Sequence, residues 1–166
     1  MSATNSLHYE LCKLGARLLR SRNNPTLPYN RACMYSTVEI VCCGAELTDV
    51  WGTTGDLTVL IEVKTSRADF LADKRKYARS KVAEELNQQI GNYRYYLCPE
   101  GVITEEDLPE NWGLLVYDGK KIRMLKMANK VDSSTSMELL LITSIMRRIL
   151  RPQTFNFREK TEIKLM

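Results

Sequence analysis

The segment Leu57-Thr-Val-Leu-Ile-Glu-Val-Lys-Thr carries a carboxylate, Glu62, and an ammonium, Lys64, two positions apart in an otherwise apolar run. Residues two apart in a β-strand leave the same face. Val59, Ile61 and Val63 are therefore expected in the core, with Glu62 and Lys64 together on the other side. Charges in so apolar a strand cost free energy unless they pair or serve a site. The preceding apolar segment, Leu47-Thr-Asp-Val-Trp51, offers Asp49, and a hairpin joining the two brings it toward Glu62. Two carboxylates at the end of a buried hairpin suit a hard divalent ion such as Mg²⁺, which prefers oxygen ligands and keeps several waters. Such an ion lowers the pKa of a bound water and neutralises charge on a phosphodiester under attack. A neighbouring lysine positions the water or stabilises the added negative charge.

The pattern acid-x-Lys is not selective by itself. It recurs at Asp118-Gly-Lys120, on an expected hairpin turn, and at Glu162-Ile-Lys164, in a polar tail. Only Glu62-Val-Lys64 sits in an apolar strand with an acid on the strand before it. Composition narrows the chemistry further. The 166 residues hold one histidine, His8. His-ligated zinc, an HNH-type nuclease, a Ser-His-Asp triad and a Cys-His dyad all need an imidazole, and His8 lies in a polar N-terminal stretch. Catalysis is thus expected from carboxylates and lysine. Five cysteines, Cys12, Cys33, Cys42, Cys43 and Cys98, show no C-x-x-C spacing and read as reduced, mostly buried thiols. Neither a signal-peptide pattern nor an apolar run of membrane-spanning length is visible, and a cytoplasmic location is expected.

The elements that must position these groups follow from periodicity and punctuation. A first helix is expected from about Leu7 to Ser21, on the spacing of Leu7, Leu11, Leu14 and Leu18, capped by Asn5 or Ser6. Three short strands follow, Val38 to Cys43, Glu46 to Trp51 and Leu57 to Lys64, forming a tight meander. A charged helix runs from about Arg67 to Gln88, and Tyr93 to Cys98 is a further strand. Gly113 to Tyr117 and Lys121 to Lys126 flank the turn dipeptide Asp118-Gly119. A last, largely apolar helix covers about Thr135 to Arg151. The order predicts one α/β domain with a mixed sheet.

The run Asp49-x12-Glu62-Val-Lys64, with a helix before and another after it, resembles the PD-(D/E)XK nuclease superfamily. The continuation Thr65-Ser-Arg67-Ala-Asp69-Phe70-Leu-Ala-Asp73-Lys74 is similar to the segment after the catalytic lysine in MmcB-like DNA-repair proteins and phage relatives, as is Leu108-Pro109…Trp112-Gly113-Leu114-Leu115. The resemblance covers about 7–126, and the helix and tail at about 133–166 fall outside it. It implies a restriction-endonuclease-like α-β-β-β-α-β core within a single domain over 1–166, with an added C-terminal hairpin and helix. It implies DNA hydrolysis with Mg²⁺ or Mn²⁺ held by Asp49 and Glu62 and assisted by Lys64. Thr48 stands where the family often has proline. The family's further acid on the first helix has Glu10 as its counterpart, with Glu39 on the first strand as a rival. A silent member of the same fold that binds DNA or a protein partner is the alternative.

Net charge is +4, and it is unevenly placed. From Lys64 to Lys81 seven basic residues stand against two acidic ones, whereas Glu100 to Glu110 is purely acidic. Arg67, Lys74 and Lys81 recur every seven residues, close to two helical turns, and would line a nucleic-acid backbone as one stripe. Gln88 and Gln89 near the end of that helix are further candidates for the site. Tyr93, Tyr95 and Tyr96 suit base stacking but are expected to be core. The last helix, ending in Arg147, Arg148 and Arg151, is expected to pack on the sheet, with a homodimer face as its alternative use.

Overall fold

The computed structural model describes residues 3–41, 47–73 and 89–150. Helix α1 (Ala3–Leu19) begins at Ala3, so Asn5 and Ser6 lie inside it and do not cap it. Its buried stripe is Leu11, Cys12, Gly15 and Leu19, while Leu7 is exposed. Leu14 and Leu18 pack against the same core, so of the four leucines only Leu7 falls off the buried side. A Cβ on Gly15 would stand 3.4 Å from both Leu97 Cδ2 and Val50 Cγ2, so the helix lies close to the strands here.

Among the described residues, six strands stand in chain order in one sheet: β1 (Tyr35–Val41), β2 (Leu47–Thr53), β3 (Thr58–Val63), β4 (Tyr93–Pro99), β5 (Gly113–Tyr117) and β6 (Ile122–Lys126). β1, β2 and β3 form the expected antiparallel meander. β4 and β5 then run parallel to β3, and β6 returns antiparallel. A parallel step needs a crossover. Between β3 and β4 it includes helix α2, described over 67–73. The rest of the segment expected as a charged helix, with Lys74, Lys81 and Gln88, lies outside the described residues, as do Cys42, Cys43, Arg151 and Lys164. The acidic segment contains a short 3₁₀ turn, Glu105–Asp107, closed by reciprocal Thr104–Asp107 bonds. Asp118 Oδ1 accepts the Lys120 and Lys121 N–H groups in the tight β5–β6 turn.

Consecutive strand residues separate the two faces. Val50, Val59, Ile61, Val63, Tyr95 and Leu97 pack with Leu11 and Leu19 of α1. Trp51 joins Ile40 and Leu141, and Tyr96, Cys98, Leu114 and Val116 join Phe70 of α2. The molecule is thus α/β, a mixed sheet with helices on both faces. All three tyrosines of β4 are buried, as expected. Tyr95 donates to Thr26 O at 2.9 Å, and Tyr96 stacks on Trp112 with ring centroids 4.6 Å apart. Gly113, opposite Tyr95 in the register, makes room for that ring. A Cβ there would come within 2.7 Å of the Ala128 backbone nitrogen. Gly113→Ala should cost about 1–3 kcal/mol. A chain of this size loses roughly 2–4 °C of Tm per kcal/mol, and thermal melting would show it; an unchanged Tm would mean β5 has slack that this packing denies.

The final helix, α3 (Thr135–Leu150), packs on the sheet through Leu141 and Ile145 against Ile40 and Trp51. It leaves Leu139, Leu140, Ile142, Met146 and Ile149 exposed. Among the described residues, no helix is long and apolar enough to cross a membrane.

Candidate active site

The hydrogen-bonded ladder between β2 and β3 runs from Thr53↔Thr58 to Val50↔Ile61. One step further the register sets Asp49 opposite Glu62. On β3 the Lys64 N–H bonds to Leu97 O of β4, so the Val63 N–H turns the other way, toward β2. Asp49 Oδ2 accepts it at 2.8 Å. A side-chain oxygen thus takes the place of a strand carbonyl where the two strands part. This leaves Asp49 Oδ1 for other partners, and His8 Nε2 lies 3.4 Å from it.

Glu62 and Lys64 share the face expected for them. Lys64 Nζ lies 3.4 Å from Glu62 Oε2 and 3.3 Å from Asp73 Oδ1, and its side chain is only 8% exposed. Asp73 comes from α2, and its second oxygen accepts the Tyr96 hydroxyl at 3.1 Å. The lysine therefore stands between two carboxylates on two elements. Burial by itself would lower the Lys64 pKa, but Glu62, Asp73 and Asp49 outweigh it and raise it above the ordinary value. Lys64 is held charged. Glu62 goes the opposite way for a carboxyl: burial first, then the charge of Asp49, pushes it up from 4.5 to about 8, against the pull of Lys64. There are more acids here than cations.

Two expectations need correction. Glu10 does not join this group; it is exposed and bonds Lys13 at 2.6 Å. From His8 to Glu10 the helix turns about 200°, so the side that brings His8 to Asp49 turns Glu10 to solvent. Its rival Glu39 is close, with Oε1 at 3.7 Å from His8 Nδ1. Glu39 sits between the Val38↔Val50 and Ile40↔Thr48 pairs, opposite Asp49, at φ +48. A non-glycine residue held in that region inside a strand stores strain of about 1–3 kcal/mol, as residues at functional sites do.

The second correction concerns histidine. His8 stands in the cluster, and Cys12, one turn on, lies with its Sγ 3.7 Å from His8 Nδ1. Burial, followed by the charges of Asp49, Glu39 and Glu62, pushes the Cys12 thiol up to about 12. The i, i+4 spacing of His8 and Cys12 was the available signal, obscured because the leucine stripe turns the helix toward Leu7. Cys12, Cys33 and Cys98 are free and buried, as expected.

Arg67 is about half exposed and paired with an acid. Its guanidinium grips both oxygens of Asp107, the second pair at 2.6 Å, and reaches Val102 O at 3.4 Å. It fastens the acidic turn to α2. Gln89 accepts from the buried Arg94 guanidinium. Lys13 and Arg17 of α1 and Arg20 just past its end line a shallow groove of about 400 Å³ with Ser36, Thr37 and Val38 of β1, Lys13 being paired with Glu10.

No family model and no curated protein matches the chain. Among solved structures it is similar to the SPO1766 protein of unknown function from Silicibacter pomeroyi, with 24% identity and a TM-score of 0.59 over 93% of this chain and 94% of that one. At that identity the likeness shows the shared fold alone.

Proposed function

We propose that the chain is a metal-dependent nuclease of the restriction-endonuclease-like kind, hydrolysing DNA phosphodiester bonds in repair or phage-related processing. The observation that carries this reading is the buried group of Asp49, Glu62 and Lys64 where β2 and β3 part, with more carboxylates than cations. The order α1, β1–β3, α2 and a β4 parallel to β3 supports it, being the α-β-β-β-α-β order that the resemblance implies. The donor set, the carboxylates of Asp49 and Glu62, is all oxygen and so has the chemistry Mg²⁺ or Mn²⁺ prefers. A carboxyl kept protonated by burial and by the charge of Asp49 is also the group a divalent ion would return to its charged form.

When bound, such an ion would supply an acidified water and charge neutralisation at the phosphate. The protein's own share is positional and electrostatic. Val63 N–H fixes the Asp49 carboxylate, Tyr96 fixes Asp73, and Asp73 with Glu62 fixes the Lys64 ammonium. A lysine kept charged orients a water or stabilises an oxyanion; it does not act as a base. The groove of Lys13, Arg17 and Arg20 is the described surface best suited to the phosphate backbone.

A panel of single- and double-stranded DNA and RNA tests the proposal. Cleavage should need Mg²⁺ or Mn²⁺ and stop with EDTA. Calorimetry should show Mn²⁺ binding that Asp49→Asn with Glu62→Gln abolishes. DNA bound but never cleaved, by protein that binds Mn²⁺, would overturn the nuclease and leave a DNA-binding module.

A further inference from the structure

We propose that His8, Cys12 and Asp49 form a binding position for a thiophilic divalent ion of the zinc class, beside the carboxylates proposed for Mg²⁺ and sharing Asp49 with them. His8 and Cys12 are four residues apart on α1 and so leave the same face of the helix. That face meets the parting of β2 and β3, where Asp49 waits with one oxygen fixed by Val63 N–H and the other turned to the imidazole. One ligand atom from each of the three residues lies within 4.8 Å of the others. In a tetrahedral site with zinc–nitrogen bonds of about 2.0 Å and zinc–sulfur bonds of about 2.3 Å, ligand atoms stand about 3.5 Å apart. The pair His8 Nδ1 and Cys12 Sγ, at 3.7 Å, is already near that spacing. Asp49 Oδ1 approaches the other ring nitrogen, Nε2, at 3.4 Å, so the Asp49 carboxylate must turn toward Nδ1 to complete the site.

The chemistry of the donors decides the ion. Imidazole is a borderline ligand and thiolate a soft one, and with only one hard carboxylate beside them the set selects Zn²⁺ or Co²⁺, whereas Mg²⁺ takes oxygen and avoids sulfur. The setting favours a cation as well. Glu39 Oε1 lies 3.7 Å from His8 Nδ1 and adds negative charge beside the three ligands. Cys12 is fully buried and the Asp49 side chain is 9% exposed. A cysteine that only filled space would be served equally by alanine or valine. Here its sulfur stands beside the one imidazole of the chain and within the field of three acids. Because Asp49 belongs to both positions, a zinc-class ion held here by imidazole and sulfur would take it from Mg²⁺ and not yield it to excess Mg²⁺.

Co²⁺ titration of the full chain tests this without recourse to activity. One equivalent should give the visible bands of a four-coordinate ion and a near-ultraviolet band from thiolate to cobalt, and Zn²⁺ should bleach both while excess Mg²⁺ leaves them. Cys12→Ser should remove the thiolate band. His8→Ala, at a half-buried position that tolerates truncation, should weaken Co²⁺ by at least about tenfold. Absence of a thiolate band in the wild type overturns the proposal, and so does the same band in Cys12→Ser, which would assign it to another cysteine. If Cys12→Ser does not fold, His8→Ala decides: unchanged Co²⁺ affinity and spectrum overturn the site.

Discussion

Lys64→Ala is expected to lower metal-dependent cleavage by about 10²–10³-fold, the usual effect of removing one charge-stabilising donor from a preorganised site. The ammonium is buried, fixed at 3.4 Å from Glu62 and 3.3 Å from Asp73, and held charged by those acids. Nothing mobile in water can replace it at that position. The variant also leaves Glu62 and Asp73 without their shared cation, so some loss of stability should accompany the loss of rate. Lys64→Met keeps most of the volume and separates the two effects: its rate should fall as far while its melting temperature recovers in part. Lys120→Ala, which removes the lysine of a similar acid-x-Lys pattern at the exposed β5–β6 turn, should cleave like the wild type. A Lys64→Met rate equal to the wild type would place the chemistry elsewhere.

The stability of the metal-free protein should fall as pH rises from about 4.5 to about 8. Glu62 has an ordinary value of 4.5 and is raised to about 8 in the fold, by burial and by Asp49. Between these values the folded state holds a proton that the unfolded state has released. Folding is then favoured most below 4.5, and the advantage is gone above 8. The expected loss is on the order of a few kcal/mol. Lys64, also raised, starts from 10.5 and loses its contribution only at still higher pH, outside this window. Denaturant melts at a series of pH values should show the slope, and Glu62→Gln should flatten it. Saturating Mn²⁺ should flatten it too, since the ion replaces the proton as counter-charge. A wild-type slope identical to that of Glu62→Gln would mean that the carboxyl is not crowded in solution.

Several parts of this arrangement are local enough to read from the chain. Alternation in Leu57 to Lys64 predicts which side chains of β3 are core and which are polar, and both assignments hold. The Asp118-Gly119 turn, the meander and the buried tyrosines of β4 follow from the same short-range rules. The placement of Asp49 near Glu62 follows from a hairpin whose two strands are only a few residues apart. Such features depend on the backbone period and on neighbours in sequence, and these are written directly in residue order.

What the sequence does not decide is the rotation of a helix about its own axis and the pairing of charges far apart. Four leucines mark a stripe on α1, of which Leu11, Leu14 and Leu18 pack in or against the core. Yet the exposure of Leu7, and the burial of Cys12 and Gly15 on the same side as these three, are set by contact with the sheet. That turn brings His8 to Asp49 and sends Glu10 into water. Arg67 is likewise one of several basic residues until the chain brings Asp107, 40 positions later, against it. Sequence by itself determined the strand chemistry of Asp49, Glu62 and Lys64, because period and hairpin are local. Only the tertiary structure decided that the single histidine and a buried thiol stand beside them, because steric fit between α1 and the sheet, a contact between distant segments, sets the helix face.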